Sequence, residues 1–190
     1  IEEKVGRCGI FLNSEARAAA ANTVGHQRAC RLGNIERGLS AADPEGAETY
    51  KANAAAYLAE LDAVDAEIRA AVAALPEDRR TIVTSHDAFG YFAARYGLEV
   101  DSIQGLSTES EANLARIEAL VRALVDRRIP AVFSESSVPD RAVRALIEGA
   151  GARGLRVALG GTLFSDSMGK PGSYEGTYHG MLDHNFTTIA

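Results

Sequence analysis

Long apolar runs are missing from this chain. None approaches the ~20 residues that a membrane-spanning helix needs, which excludes that class. Cysteine is scarce too. Cys8 and Cys30 are the only two and no Cys-x-x-Cys occurs, so neither a disulfide-rich scaffold nor a structural zinc ribbon is written here. The two thiols leave open one bridge or two unrelated side chains. Basic clusters do not exceed Arg79-Arg80 and Arg127-Arg128, which argues against nucleic acid as a partner. No apolar leader is read at Ile1, so the sequence is taken as a mature, trimmed or partial chain. What is present is an ordinary globular composition. The 190 residues are 46% hydrophobic and 24% charged, with a net charge of −6, enough for one domain or one domain and a piece of another.

Residues 1–33, with four glycines and the alanine run Ala18–Ala21, carry the weakest pattern; a helix from about Ser14 to Leu39, broken near Gly25, is expected. A stronger signal follows. Asp43-Pro44-Glu45 reads as an N-cap, a proline in the first helical position and an acid in the first turn. Tyr50, Ala54, Tyr57, Leu61, Val64, Ile68, Val72 and Leu75 then recur at spacings of mostly three and four, the apolar stripe of one long helix that Pro76 stops. Beyond Pro76 short strands alternate with helices. Strands are expected at Thr81–Thr84, Leu98–Gln104, Pro130–Phe133 and Leu155–Leu159. Helices are expected at Ala88–Tyr96, with Phe89, Tyr91 and Phe92 as its core face; from the capping box Thr108–Glu111 to Arg128, with Leu114, Ile117, Leu120, Val121 and Leu124 inward; at Pro139–Gly149; and at Tyr178–Ile189, after a glycine-rich loop from Gly160 to Tyr174. This alternation predicts an α/β fold, a parallel sheet flanked by helices and preceded by a long spine helix.

Open parallel sheets bind ligands beyond the carboxyl ends of their strands. Ser85-His86-Asp87 follows the first strand, Ser134-Glu135-Ser136-Ser137 the third, and Ser165-Asp166-Ser167 the extended segment Thr162–Phe164. One imidazole and several carboxylates thus reach one edge from three separate strands, a donor set suited to Zn²⁺, Mn²⁺ or Fe²⁺. Ser85, His86 and Asp87 have the residue types of a hydrolytic triad, but sequence neighbours point apart and a triad gathers its members from separate segments.

Several stretches in register resemble the metal-binding receptors of ABC uptake systems for zinc and manganese. They are Thr84–Phe92, Gln104–Glu111, Pro130–Ser137, Leu163–Gly169, and Gly176–Tyr178 through His184-Asn185, and the likeness extends over about residues 34–190. The resemblance implies two lobes joined by one long helix with a single metal held between them. Residues 1–43 would be a divergent remnant of the first lobe, 44–76 the linking helix and 77–190 the second α/β lobe. It implies His86 and Asp166 as metal ligands. Glu135 matches an acid lining the cleft that would orient a ligand; from local pattern alone it reads as an acid near a helix N-terminus. The family draws two further histidines from its first lobe, one in an Asp-Pro-His-x-Trp motif, and neither is found in this sequence. The nearest stand-in is His26, in Val24-Gly25-His26-Gln27, while His179 and His184 read as packing or surface residues.

The function that follows is extracytoplasmic capture of a divalent transition metal, zinc before manganese, and its delivery to a membrane permease, with no bond made or broken. Two ligands alone hold an ion poorly, so weak binding, a substitute ligand such as His26, or completion by a second copy in a homodimer is expected. An adhesin-like surface protein of the same fold is the alternative, followed by a metal-assisted hydrolase built on Asp166 or Glu135.

Overall fold

A computed structural model gives the fold, and it describes residues 26–106 and 113–190, with side chains from residue 31 onward. Helix α1 (His26–Ala42) packs against α2 (Ala47–Ala74), whose 28 residues extend about 42 Å at ~1.5 Å per residue. The start of α2 lies three residues beyond Pro44. Pro44 opens a lead-in turn closed by the Ala47 N–H donating to the Pro44 carbonyl at 3.3 Å. Asp43 accepts from the Gly46 N–H at 3.3 Å and from the Tyr50 hydroxyl at 2.7 Å, so it caps that turn and ties it to the helix. Of the expected stripe, Leu61, Val64, Ile68 and Val72 are buried, while Tyr50, Ala54, Tyr57 and Leu75 are half-buried.

A short 3-10 turn (Glu77–Arg79) leads into β1 (Thr81–Thr84), α3 (Gly90–Tyr96) and β2 (Glu99–Ser102). Then come α4 (Leu114–Arg127), β3 (Ala131–Glu135), α5 (Arg141–Ala152) and β4 (Ala158–Leu163). A second 3-10 turn (Tyr174–Gly176) precedes the last helix, α6 (Tyr178–Ile189). β1 pairs with β2 and β3 with β4, both in parallel, and β1 lies beside β3.

Side chains alternate across the strands, as the twofold period of extended chain requires. Ile82, Phe133 and Leu163 join one apolar cluster with Leu61, Ile68, Phe89, Phe92 and Leu182, from α2, α6 and the α3 segment. Val83 and Val132 join the other with Leu120, Leu124 and Leu146, from α4 and α5. Helices therefore cover both faces, and the central strands are buried on both sides.

The seam between α2 and α3 has a polar centre. Asp65 accepts from Arg95 at 2.7 and 2.8 Å, from the Tyr96 hydroxyl at 2.8 Å and from Arg69 at 3.0 Å. Burial pushes its carboxyl upward, but these donors outweigh that and hold it below the usual carboxylate range.

Four expectations are corrected. Tyr91 is 38% exposed, because only Phe89 and Phe92 of its trio point at the sheet. Leu114 is 70% exposed, because it stands in the first turn of α4 immediately after the Asn113 cap, whose side chain accepts from the Ala115 N–H at 2.9 Å. The fourth strand runs through Gly160 and Gly161, where a loop was expected. The two glycines form a bulge, since Val132 pairs with Leu159 but Phe133 with Gly161. A Cβ on Gly160 would lie 2.6 Å from the Phe133 ring, and Gly161 has φ +147, so both positions require glycine. Glu135 ends β3 and does not open a helix, as α5 begins only at Arg141. The expected break near Gly25, the capping box at 108–111, Cys8 and the side chains of Cys30 and His26 lie outside what the structure describes.

Candidate metal centre

His86 lies two residues past β1, Glu135 ends β3, and Asp166 lies three residues past β4. All three fall at the carboxyl edge of the strands. The His86 residue is 2% exposed. Its backbone N–H donates to Glu135 Oε1 at 2.8 Å, and its Nδ1 lies 2.6 Å from Glu135 Oε2. That second approach is of ion-pair range but off the direction of a hydrogen bond, so Oε2 has charge contact with the ring and no hydrogen-bond partner. On the other side of the ring, Nε2 lies 3.2 Å from Asp166 Oδ2. The two acids differ in access: the Glu135 side chain is fully buried, and that of Asp166 is 40% exposed.

The imidazole thus sits between a buried carboxylate behind it and an accessible one in front. Burial lowers its proton affinity, but Glu135 and then Asp166 raise it further, and the net shift is upward. Thr84 fixes the bend that carries the ring, its hydroxyl donating to the His86 carbonyl at 3.0 Å.

The remaining described histidines are engaged elsewhere. His184 Nε2 meets the Thr162 carbonyl at 2.9 Å and its ring packs on Phe164. His179 lies beside Glu60 at 3.9 Å and against the Tyr174 ring. Among the described residues, no group of three or more His, Cys, Asp or Glu side chains is arranged to hold a metal ion.

Sequence reasoning passed over the frame around Asp166. Asn185, 1% exposed, accepts from the Phe164 N–H at 2.8 Å and donates to the Phe164 carbonyl at 2.7 Å. Ser165 Oγ lies 2.7 Å from Ser137 Oγ, and Ser167 Oγ lies 3.1 Å from Ser136 Oγ. The signal was in plain view: serines adjoin the acid in both Ser134-Glu135-Ser136-Ser137 and Ser165-Asp166-Ser167.

Comparison with known proteins gives a consistent picture. A family model described as zinc-uptake complex component A, periplasmic (ZnuA), matches residues 31–190. The manganese-binding lipoprotein MntA of Bacillus subtilis (strain 168) is 44% identical over 155 residues, 82% of this chain and 51% of the relative. The zinc-binding protein TroA of Treponema pallidum (strain Nichols) is 49% identical over 134 residues, 70% of this chain and 44% of the relative. A solved structure of the periplasmic zinc-binding protein TroA from Treponema pallidum matches with a TM-score of 0.85 at 38% identity, covering 98% of this chain and 68% of that one. The chain spans about half the length of the curated relatives it matches.

Proposed function

Because the chain belongs to the ZnuA family, we propose that it is the ion-gripping α/β lobe of an extracytoplasmic receptor. The receptor captures a divalent transition metal and delivers it to an ABC permease. The metal is cargo, and no bond is made or broken. The observation that carries this reading is the 3.2 Å separation of His86 Nε2 and Asp166 Oδ2 at the strand-end edge. Two ligands about 2.0–2.1 Å from one zinc ion, at an angle near tetrahedral, stand roughly 3.1–3.4 Å apart. The observed spacing supports two donors that share an ion without a large rearrangement.

Glu135 completes the chemistry from behind. A carboxylate against Nδ1 favours the tautomer that keeps its proton there, which leaves the Nε2 lone pair free for the ion. Asp166, at the accessible side, supplies negative charge. Zinc is the first choice of cargo because imidazole nitrogen is a borderline ligand that suits it well, with manganese next and ferrous iron after it. Of the named relatives, TroA is zinc-binding and MntA manganese-binding, so both metals belong in the test. The ligands beyond these two come from the half of the receptor this chain does not span, or from a second copy in a homodimer, which light scattering with and without zinc separates.

The test is a zinc and a manganese titration of the chain, followed by direct measurement of bound metal. Zinc binding that falls at least tenfold in both His86→Ala and Asp166→Ala supports the reading. Undiminished binding in either variant overturns it.

A further inference from the structure

Asp166 presents a positional problem. It stands on a Ser- and Gly-rich loop with its side chain 40% exposed, where a carboxylate ordinarily samples several rotamers. Ion ligands must be held to within about 0.5 Å of their working place. We propose that the end of β3, Glu135-Ser136-Ser137, acts as a jig that sets the distance between the two ligands. In it, Ser136, Ser137, Ser165 and Ser167 serve as positioning residues for the Asp166 carboxylate. The inference rests on the reading of His86 and Asp166 as ligands.

Three consecutive residues carry the argument. Glu135 holds His86 at its backbone N–H (2.8 Å) and against its ring nitrogen (2.6 Å). Ser136 and Ser137 reach the other way, to the two residues that flank Asp166, at 3.1 Å to Ser167 and 2.7 Å to Ser165. The Ser136 N–H also donates to the Leu163 carbonyl at 2.9 Å, and Asn185 fixes Phe164 from the opposite side. Both ligands are thereby referenced to the same strand end. Hydroxyl pairs suit this task. Each can donate or accept, and neither brings a net charge that would compete with the ion for Asp166. Ser165 is 2% exposed, so its contact with the exposed Ser137 is shielded from water on one side, while the outer pair is open to solvent.

The test compares Ser137→Ala, Ser167→Ala, Ser137→Thr and the Ser137→Ala/Ser165→Ala double variant with the parent chain. Zinc affinity is read by competition with a chelating indicator, and the melting midpoint is read on the ion-free protein. Ser137→Ala is expected to weaken zinc binding about tenfold, the scale of loss for groups that orient metal ligands. Ser137→Thr restores most of it, Ser167→Ala weakens binding with an unchanged midpoint, and the double variant binds no worse than Ser137→Ala. Parental affinity in both alanine variants overturns the jig, and so do losses that merely track the midpoint or that add in the double variant. His86→Ala separates the two levels. If it binds zinc like the parent, the ligand reading falls and takes the jig with it. If it loses zinc while the serine variants do not, only the jig falls.

Discussion

Two carboxylates, one half-buried in the helix seam and one buried at the strand ends, meet the same physical problem with different partners. Asp65, 14% exposed, faces Arg95 and Arg69, which stay charged at every working pH, and the Tyr96 hydroxyl. Glu135 is buried completely and faces one ionisable neighbour, His86, whose charge can be withdrawn. The seam is neutralised permanently and joins two helices. The strand-end acid faces a titratable ring whose other nitrogen lies toward Asp166. On the proposed function, a metal ion would compete with a proton for that nitrogen. The difference shows how one fold uses a half-buried acid as a fastener between helices in one place and sets a buried acid against a titratable ring in another.

The sharpest way to break the comparison is to remove each acid in turn. Asp65→Ala leaves Arg95 and Tyr96 without their shared acceptor and is expected to cost about 2 kcal/mol, reduced from the fully buried case by the exposure of Arg95. Denaturant unfolding checks it, and zinc affinity should not move. Glu135→Gln keeps the shape and an acceptor for the His86 N–H but removes the charge behind the ring. It is expected to lower zinc affinity about 10- to 100-fold, roughly 1.4–2.7 kcal/mol, while the ion-free melting midpoint shifts by only a few degrees.

Acidity sharpens the contrast, because the two regions respond with opposite sign. His86 titrates above its ordinary value of 6.5 in the folded chain, so its contribution to ion-free stability is complete below that value and is lost as pH rises through the raised one. Asp65 titrates below its ordinary 3.8, so its contribution is present above that value and is lost as pH falls through the lowered one. Melting curves across pH should show the acid arm flattened in Asp65→Ala and the near-neutral arm flattened in His86→Ala. Zinc affinity, in contrast, should decline on acidification, beginning above pH 6.5, because the proton occupies the ligand nitrogen. The smallest effect belongs to Thr177, which caps α6 by accepting from the Gly180 N–H at 3.0 Å. Thr177→Ala is expected to cost about 1 kcal/mol of stability by thermal unfolding and to leave zinc affinity unchanged.

Legibility followed the range of the interaction. The stripe from Leu61 to Val72 and the strand Thr81–Thr84 were readable because apolar period and β-branched runs are local signals. The glycines at 160–161 misled because glycine breaks a loop and a bulge with the same residue, and only the register against Phe133 distinguishes them. Leu114 misled because periodicity assigns a face to a helix but does not say how far the covering sheet extends. At the site, the strand-end rule and the surrounding motifs singled out His86 and Asp166, which the fold brings to 3.2 Å of one another. The reading of Glu135 as a helix-opening acid failed, because an acid before serines looks like a helix start until β3 is seen to end on it.

By itself the sequence determined the alternation of strand and helix, the long stripe of α2 and the placing of His86, Glu135 and Asp166 each at or just past the end of its own strand. Each of these depends on residues within a few positions of one another. Tertiary structure alone decided that Glu135 stands behind the His86 ring, 49 positions away, and that Ser136 and Ser137 reach the two neighbours of Asp166. Such meetings depend on which strands lie side by side and in what register, and no local pattern encodes that, because it is set by the packing of both apolar clusters at once.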